Sequence, residues 1–271
     1  MKLVVLSDLH IMPSGHPNRG PDTHGRLQSA ITRINTAYSD ADLVVVAGDV
    51  ADWRRAPDEG YGEIKAALET LQVPWTATIG NHDRRDAFLA SFGPGFGDEN
   101  GFAQSAHILG DHRVIVLDSL KLNTDPASAR YSAPTGELCA ARLAWLDARL
   151  ARATGHPVIV ILHHHVRPAH ILMDAAGLED PDPFIDRLVA HGGVRQVISG
   201  HIHMATTTFH RGIPFTTLAG GFSTSIEDFG RRENKFRREG PAQMAVVLSD
   251  TDQTTVHFDN YVDANPLVTG R

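Results

Sequence analysis

Apolar residues along this chain gather in short unbroken runs, none of them near the roughly 20 residues of a membrane span. Runs at 3–7 (LVVLS), 43–47 (LVVVA), 73–79 (VPWTATI), 113–117 (RVIVL), 157–162 (PVIVIL) and 194–198 (VRQVI) predict strands. Between many of them the spacing becomes helical. Leu27, Ala30, Ile31 and Ile34 recur at i, i+3, i+4 and i+7, with Asp22 or Thr23 as the cap. Ile64, Leu68 and Leu71 mark a second helix, Cys139, Leu143, Leu146 and Leu150 a third, and 183–191 a fourth. Strands alternating with helices predict an α/β fold with largely parallel pairing in the first half. After His203 the texture changes: 205–210, 214–219, 243–248 and 254–261 read as strands joined by turns, a mostly antiparallel β section. No internal repeat, low-complexity tract or linker interrupts the chain, so 1–271 reads as a single domain.

Five of the apolar runs share an ending. "VVLSDLH" (4–10) closes on Asp8 and His10, whose two-residue spacing on a strand points both side chains the same way. "LVVVAGDVAD" (43–52) closes on Gly48 and Asp49, and "TATIGNHD" (76–83) on Gly80, Asn81, His82 and Asp83. "VIVILHHH" (158–165) closes on His163, His164 and His165, and "RQVISGHIH" (195–203) on Gly200, His201 and His203. A parallel sheet sets such ends along one edge, where open α/β sheets place their sites. The glycines permit tight turns and close backbone approach.

Carboxylate, amide and imidazole ligands without thiolate suit Mn²⁺, Fe²⁺/Fe³⁺ or Zn²⁺ in a catalytic, water-bearing site. Asp8, His10, Asp49, Asn81, His163, His201 and His203 are too many for one ion, and two ions sharing Asp49 account for them. Ion pairs of this kind, about 3.5–4 Å apart, stabilise the attacking and leaving oxygens of an in-line displacement, with a hydroxide between them as nucleophile.

Net charge is −7 and the pI about 6.1, which argues against a surface built for long nucleic acid. Bound ions would supply the positive charge that an acidic protein needs to hold a phosphate. One basic run, "RRENKFRREG" (231–240), reads as a solvated loop in preference to an anion-binding lid. The single Cys139 excludes an intrachain disulfide and reads as a small buried residue on its helix. Met1-Lys2 leads straight into a strand with no apolar leader, so a cytoplasmic protein with no membrane association is expected.

The order DLH…GDVAD…GNHD…HHH…GHIH resembles the calcineurin-like metallophosphoesterase superfamily, and its spacing resembles the class III cyclic-nucleotide phosphodiesterases and related bacterial glycerophosphodiesterases. "GELCAARLAWLDARLA" is similar to the helix that precedes the HHH strand in those enzymes. The resemblance covers residues 8 to 203 and implies a four-layer α-β-β-α sandwich with a dimetal site at the strand ends. It implies that Asp8, His10, Asp49 and His203 hold one ion, and that Asp49, Asn81, His163 and His201 hold the other. Asn81 and His82 would face the substrate phosphate, His82 as charge stabiliser or general acid. His163 is preferred as ligand for being first off its strand, with His164 the alternative and His165 a supporting or solvent-facing residue. Asp52 and Asp83 are expected to orient ligands or the turn, and Asp118 to be structural. The family often follows this His pair directly with Pro, whereas "HHHVRPAH" delays it to Pro168, which leaves the neighbouring loop open. The implied activity is metal-dependent hydrolysis of small phosphodiesters, cyclic nucleotides or glycerophosphodiesters. A phosphomonoesterase, a nuclease and an inactive metal-binding scaffold are the alternatives. The loop 11–25, the segment 166–182 and the C-terminal β section are the candidate substrate borders, with Met173 and Asp174 read equally as a helix-starting turn. Trp53 and Phe222 are expected to pack rather than stack on a base, and the late strands are candidates for pairing across a homodimer.

Overall fold

Two β-sheets stack face to face, and each carries helices on its outer side. The computed structural model describes residues 1–16, 20–52, 60–125, 127–128, 130–226 and 236–263. The elements run β1 (Lys2–Leu6), α1 (Thr23–Ala37), β2 (Leu43–Ala47), α2 (Gly60–Leu68), β3 (Trp75–Thr78), α3 (Arg85–Phe92), β4 (Ser105–Leu109), β5 (His112–Leu117), β6 (Leu120–Leu122), β7 (Ser132–Gly136), α4 (Ala140–Arg152) and β8 (Val158–Leu162). They continue with α5 (Asp182–His191), β9 (Val194–Ser199), β10 (Thr206–His210), β11 (Ile213–Thr217), β12 (Thr224–Ile226), β13 (Phe236–Arg238), β14 (Ala242–Ser249) and β15 (Thr254–Val262). One sheet has the order β15-β14-β1-β2-β3, and the other β10-β11-β9-β8-β5-β4. β1, β2 and β3 are parallel, as are β5, β8, β9 and β11.

Each central strand is covered on both faces, which is why these segments read as unbroken apolar runs. On β1, Val4 and Leu6 face Leu27 and Ile31 of α1, Ile64 of α2 and Phe88 of α3. Leu3 and Val5 face the opposing sheet, where Val114, Ile159 and Ile161 meet them. On β8, Val158, Val160 and Leu162 pack under Trp145 and Leu146 of α4 and Phe184 and Ile185 of α5. The layers are therefore α-β-β-α, as the sequence resemblance implied. Asp22 is the cap of α1, its Oδ1 accepting from the Gly25 N–H at 3.0 Å.

Several expectations change in detail. The late strands are mostly antiparallel, as expected, and they divide between the two sheets: β10 and β11 extend one, while β14 and β15 extend the other, with β14 antiparallel on β1. The reason is edge pairing, since a parallel core leaves open N–H and C=O groups at its border and the following chain covers them. Leu71 lies in the turn that ends α2, its N–H bonded to Leu68 O at 3.0 Å. Cys139 is the half-buried residue just before α4 rather than part of its apolar face. The strand β4, the hairpins β6–β7 and β12–β13 and the helix α3 lack an apolar run long enough to announce them. Trp53 and positions 231–235 lie outside the described residues. Among the described residues no helix is long and apolar enough to cross a membrane.

Candidate metal centre

The carboxyl ends of β1, β2, β3, β8 and β9 bring all eight residues singled out in the sequence to one place. They arrive by a route that strand alternation does not describe. β1 ends at Leu6, and Asp8 and His10 lie beyond it with φ of 53° and 47°. Asp49, His201 and His203 are left-handed too, with φ of 49°, 73° and 54°. Each such non-glycine residue costs on the order of 1–3 kcal/mol and persists only where its surroundings hold it. Here the backbone holds it: Asp8 N–H bonds Gly48 O at 3.1 Å, and His10 N–H bonds Asp49 O at 2.9 Å. Glycine is required where the turns meet His163. A Cβ on Gly48 would stand 2.7 Å from the His163 ring, and one on Gly80 would strike Asp49 Oδ1 and stand 2.6 Å from His163 Cδ2.

Two clusters result, with Asp49 between them. In one, His203 Nε2 lies 3.1 Å from His10 Nε2 and 3.4 Å from Asp8 Oδ1, and His10 Nε2 lies 3.5 Å from Asp49 Oδ2. In the other, His163 Nε2 lies 3.3 Å from Asp49 Oδ2, 3.2 Å from Asn81 Oδ1 and 3.2 Å from His201 Nδ1. Two donors each about 2.1 Å from an ion at a tetrahedral angle are about 3.4 Å apart, so the observed separations fit metal ligands. Tautomers agree with that fit. His203 Nδ1–H donates to Ser223 O at 2.7 Å and His163 Nδ1–H to Ala47 O at 3.0 Å, which turns both Nε2 lone pairs into the clusters. Burial holds His10, His201 and His203 below the usual histidine range, so their imidazoles are neutral and able to ligate. At His163 burial also acts downwards, but the Asp49 charge and hydrogen bond overcome it and lift the ring to about 9. An ion entering the second cluster must therefore displace a proton from His163.

The three consecutive histidines separate clearly. Among them His163 is the one that meets Asp49 and Asn81. His164 lies close to His163 and His201, but its Nδ1 turns to Ser119 Oγ at 2.8 Å. His165 is buried, not solvent-facing: its ring stacks on that of His201 at 5.8 Å, its Nε2 lies 3.7 Å from Asp174 Oδ1, and burial lowers it to about 4. His163→Ala is expected to weaken binding at the second cluster by about 10- to 100-fold or more, and His165→Ala less, because it loses only support for His201. Metal titration of both variants, with wild-type affinity rising about tenfold per pH unit below pH 9, is the check. Equal losses, or a loss confined to His164→Ala, would assign the ligand differently.

The neighbouring acids behave as orienting groups. Asp52 Oδ1 lies 2.8 Å from His82 Nδ1. Asp83 accepts from the backbone N–H groups of Val50, Ala51 and Gly80 and from the Tyr61 hydroxyl, which ties the Asp49 and Asn81 turns together. Asp118 is fully buried and paired with Arg85 at 2.6 Å, away from the clusters. His82 is about one-fifth exposed at 18% of its side chain, its ring edge-on to His10 at 4.5 Å, and its backbone N–H bonds Asp49 Oδ1 at 2.7 Å. Phe222 packs on the His10 ring at 5.0 Å, and Arg26 holds its loop by bonds to Gly221 O and Phe222 O at 3.0 and 2.6 Å. From the loop 11–25, His24 turns back to Met12 O at 2.6 Å.

A cavity of about 430 Å³ opens over Asp49, Asn81, His82, His201 and His203. Pro134 and the turn Leu172–Ala176, including Met173, form an apolar wall, whereas Asp174 caps that turn through the N–H groups of Ala169 and Ile171. Arg130 and Arg237 complete the lining. Arg130 went unnoticed in the sequence because nothing local distinguishes it. Arg237 belongs to the basic run 231–240 read as a solvated loop; 231–235 lie outside the described residues, whereas 236–238 form β13, whose pairing with β12 brings the exposed Arg237 to the cavity.

The calcineurin-like phosphoesterase family model matches residues 1–205. A probable cyclic nucleotide phosphodiesterase of Rhodopseudomonas palustris is 31% identical over 98% of this chain and 95% of its own. A probable glycerophosphodiester phosphodiesterase of Arcobacter nitrofigilis is 28% identical over 95% and 92%. A dimetal phosphatase from Danio rerio superposes with a TM-score of 0.71 at 18% identity, covering 97% of this chain and 96% of that one. With three-quarters of its length matched and its histidines and aspartates gathered in two adjoining clusters, the chain belongs to the calcineurin-like phosphoesterase family of metal-dependent hydrolases.

Proposed function

We propose that this protein hydrolyses small phosphodiesters, cyclic nucleotides or glycerophosphodiesters, at a two-ion centre. Asp8, His10, Asp49 and His203 would hold one ion, and Asp49, Asn81, His163 and His201 the other. The observation that carries the reading is the Asp49 carboxylate, whose Oδ2 lies 3.5 Å from a nitrogen of one cluster and 3.3 Å from a nitrogen of the other. Bound divalent ions supply Lewis acidity and a nucleophile from water at neutral pH.

The chain's own residues do the rest. Ala47 O, Ser223 O and Asp83 keep ligands and turns in place before substrate arrives. Asn81 lines the cavity beside its cluster, and its amide nitrogen would donate to a phosphoryl oxygen. The Asp52 carboxylate accepts from the His82 Nδ1–H and orients the ring, so that an imidazolium at His82 would give its Nε2 proton to the departing oxygen and be left neutral. The apolar wall at Leu172 and Met173 excludes water from the substrate body. The two relatives described above are named for the two substrate types proposed, and both align over nearly the whole chain. Assay of the Mn²⁺-loaded protein on bis-nitrophenyl phosphate, nitrophenyl phosphate, 2′,3′- and 3′,5′-cyclic AMP and glycerophosphocholine tests this. Diesters are expected to be turned over with the higher kcat/KM, and a clear preference for the monoester would sink the proposal.

A further inference from the structure

Two arginines reach the cavity from different sides. Arg130 stands just before β7, whose Ser132 hydroxyl donates to Asn81 O at 2.5 Å, so it enters beside Asn81. Arg237 enters on β13, which pairs with β12, and lines the cavity together with His201 and His203. Both residues are exposed at the rim rather than packed among the buried ligands. Among the described residues Arg130 has no ion-pair partner, so its guanidinium is not consumed by the fold. A cationic rim on a protein of net charge −7 is a local departure that needs a local reason.

The reacting phosphoryl group is accounted for at the cavity floor by the two clusters, Asn81 and His82. What projects outwards from it would meet the apolar wall and the arginines, which line the same cavity. We infer that Arg130 and Arg237 form an anion-reading rim, and that the preferred substrate is a phosphodiester whose body carries a second phosphate group. Guanidinium suits this task, because its planar fork of donors matches phosphate oxygens two at a time and never loses its charge. This inference rests on the diesterase reading for where the scissile phosphate sits.

The test separates the two. Thymidine 5′-monophosphate and thymidine 3′,5′-bisphosphate differ only by the second phosphate. Their binding to the Mn²⁺-loaded protein is measured by calorimetry, for wild type, Arg130→Gln, Arg237→Gln and the double variant, with melting curves to confirm the fold. Wild type is expected to bind the bisphosphate about tenfold more tightly, and the double variant to lose that preference while keeping its affinity for the monophosphate. Equal affinities in wild type would overturn the inference. So would an equal loss for both ligands in the double variant, since the arginines would then grip the reacting phosphate instead. Release of nitrophenolate from thymidine 5′-(4-nitrophenyl phosphate) reports the diesterase reading on its own. Failure there, with the bisphosphate preference intact, removes the reaction and leaves the anion-reading rim.

Discussion

Asp49→Ala is expected to empty both metal positions at once and to lower kcat by at least about 10³-fold, because on the proposed assignment both ions would share this carboxylate. Asp49 is the residue that both clusters touch, through His10 on one side and His163 on the other. Its removal also takes away the negative charge that lifts His163, so that ring returns towards the neutral form favoured by its burial. The fold itself is expected to survive, since the apolar layers above and below β2 do not depend on the carboxylate. Metal content of the purified variant, alongside its circular dichroism and turnover, is the measurement. Two ions per chain with near-normal turnover would remove the bridging assignment, and so would the loss of one ion with full retention of the other.

The second large effect lies at His82 and depends on the leaving group. An alkoxide departs poorly without a proton, and a positioned general acid contributes about 10²–10⁴-fold. Nitrophenolate is a weak base and needs little help. His82→Ala is therefore expected to cost about 10²-fold or more in kcat/KM on a cyclic nucleotide or glycerophosphodiester, and far less on bis-nitrophenyl phosphate. Asp52→Asn should show the same pattern more weakly, because it loosens the ring at Nδ1 without removing it. If His82 instead grips only the phosphoryl oxygens, both ester types lose alike. Measuring one alkyl and one aryl diester at saturating metal decides between these, and equal losses would leave His82 as an electrostatic clamp.

Much of this protein is written in local patterns. Unbroken runs such as LVVVA and VIVIL mark strands covered on both faces, because such positions accept only apolar side chains. Period-3.6 spacing marks α1 and α4 for the same reason on one face. The candidate ligands were legible because a metal centre would demand particular atom types, and those stand at the ends of the runs. What pattern does not carry is any arrangement that depends on backbone or distance in space. Asp8 and His10 converge through left-handed backbone held by the Gly48 and Asp49 carbonyls, residues some 40 positions away, not through strand alternation. The choice of His163 over His164 comes from which ring meets Asp49 and Asn81 across the sheet. The division of the late strands between two sheets follows from where edges lie open, and Arg130 and Arg237 become cavity residues only when β7 and the β12–β13 hairpin fold over the clusters. Composition and periodicity thus determined the layers and the chemistry of the ligands. Which histidine meets Asp49 and Asn81, and which side chains line the cavity, were decided by contacts between segments far apart in the chain, which tertiary structure alone brings together.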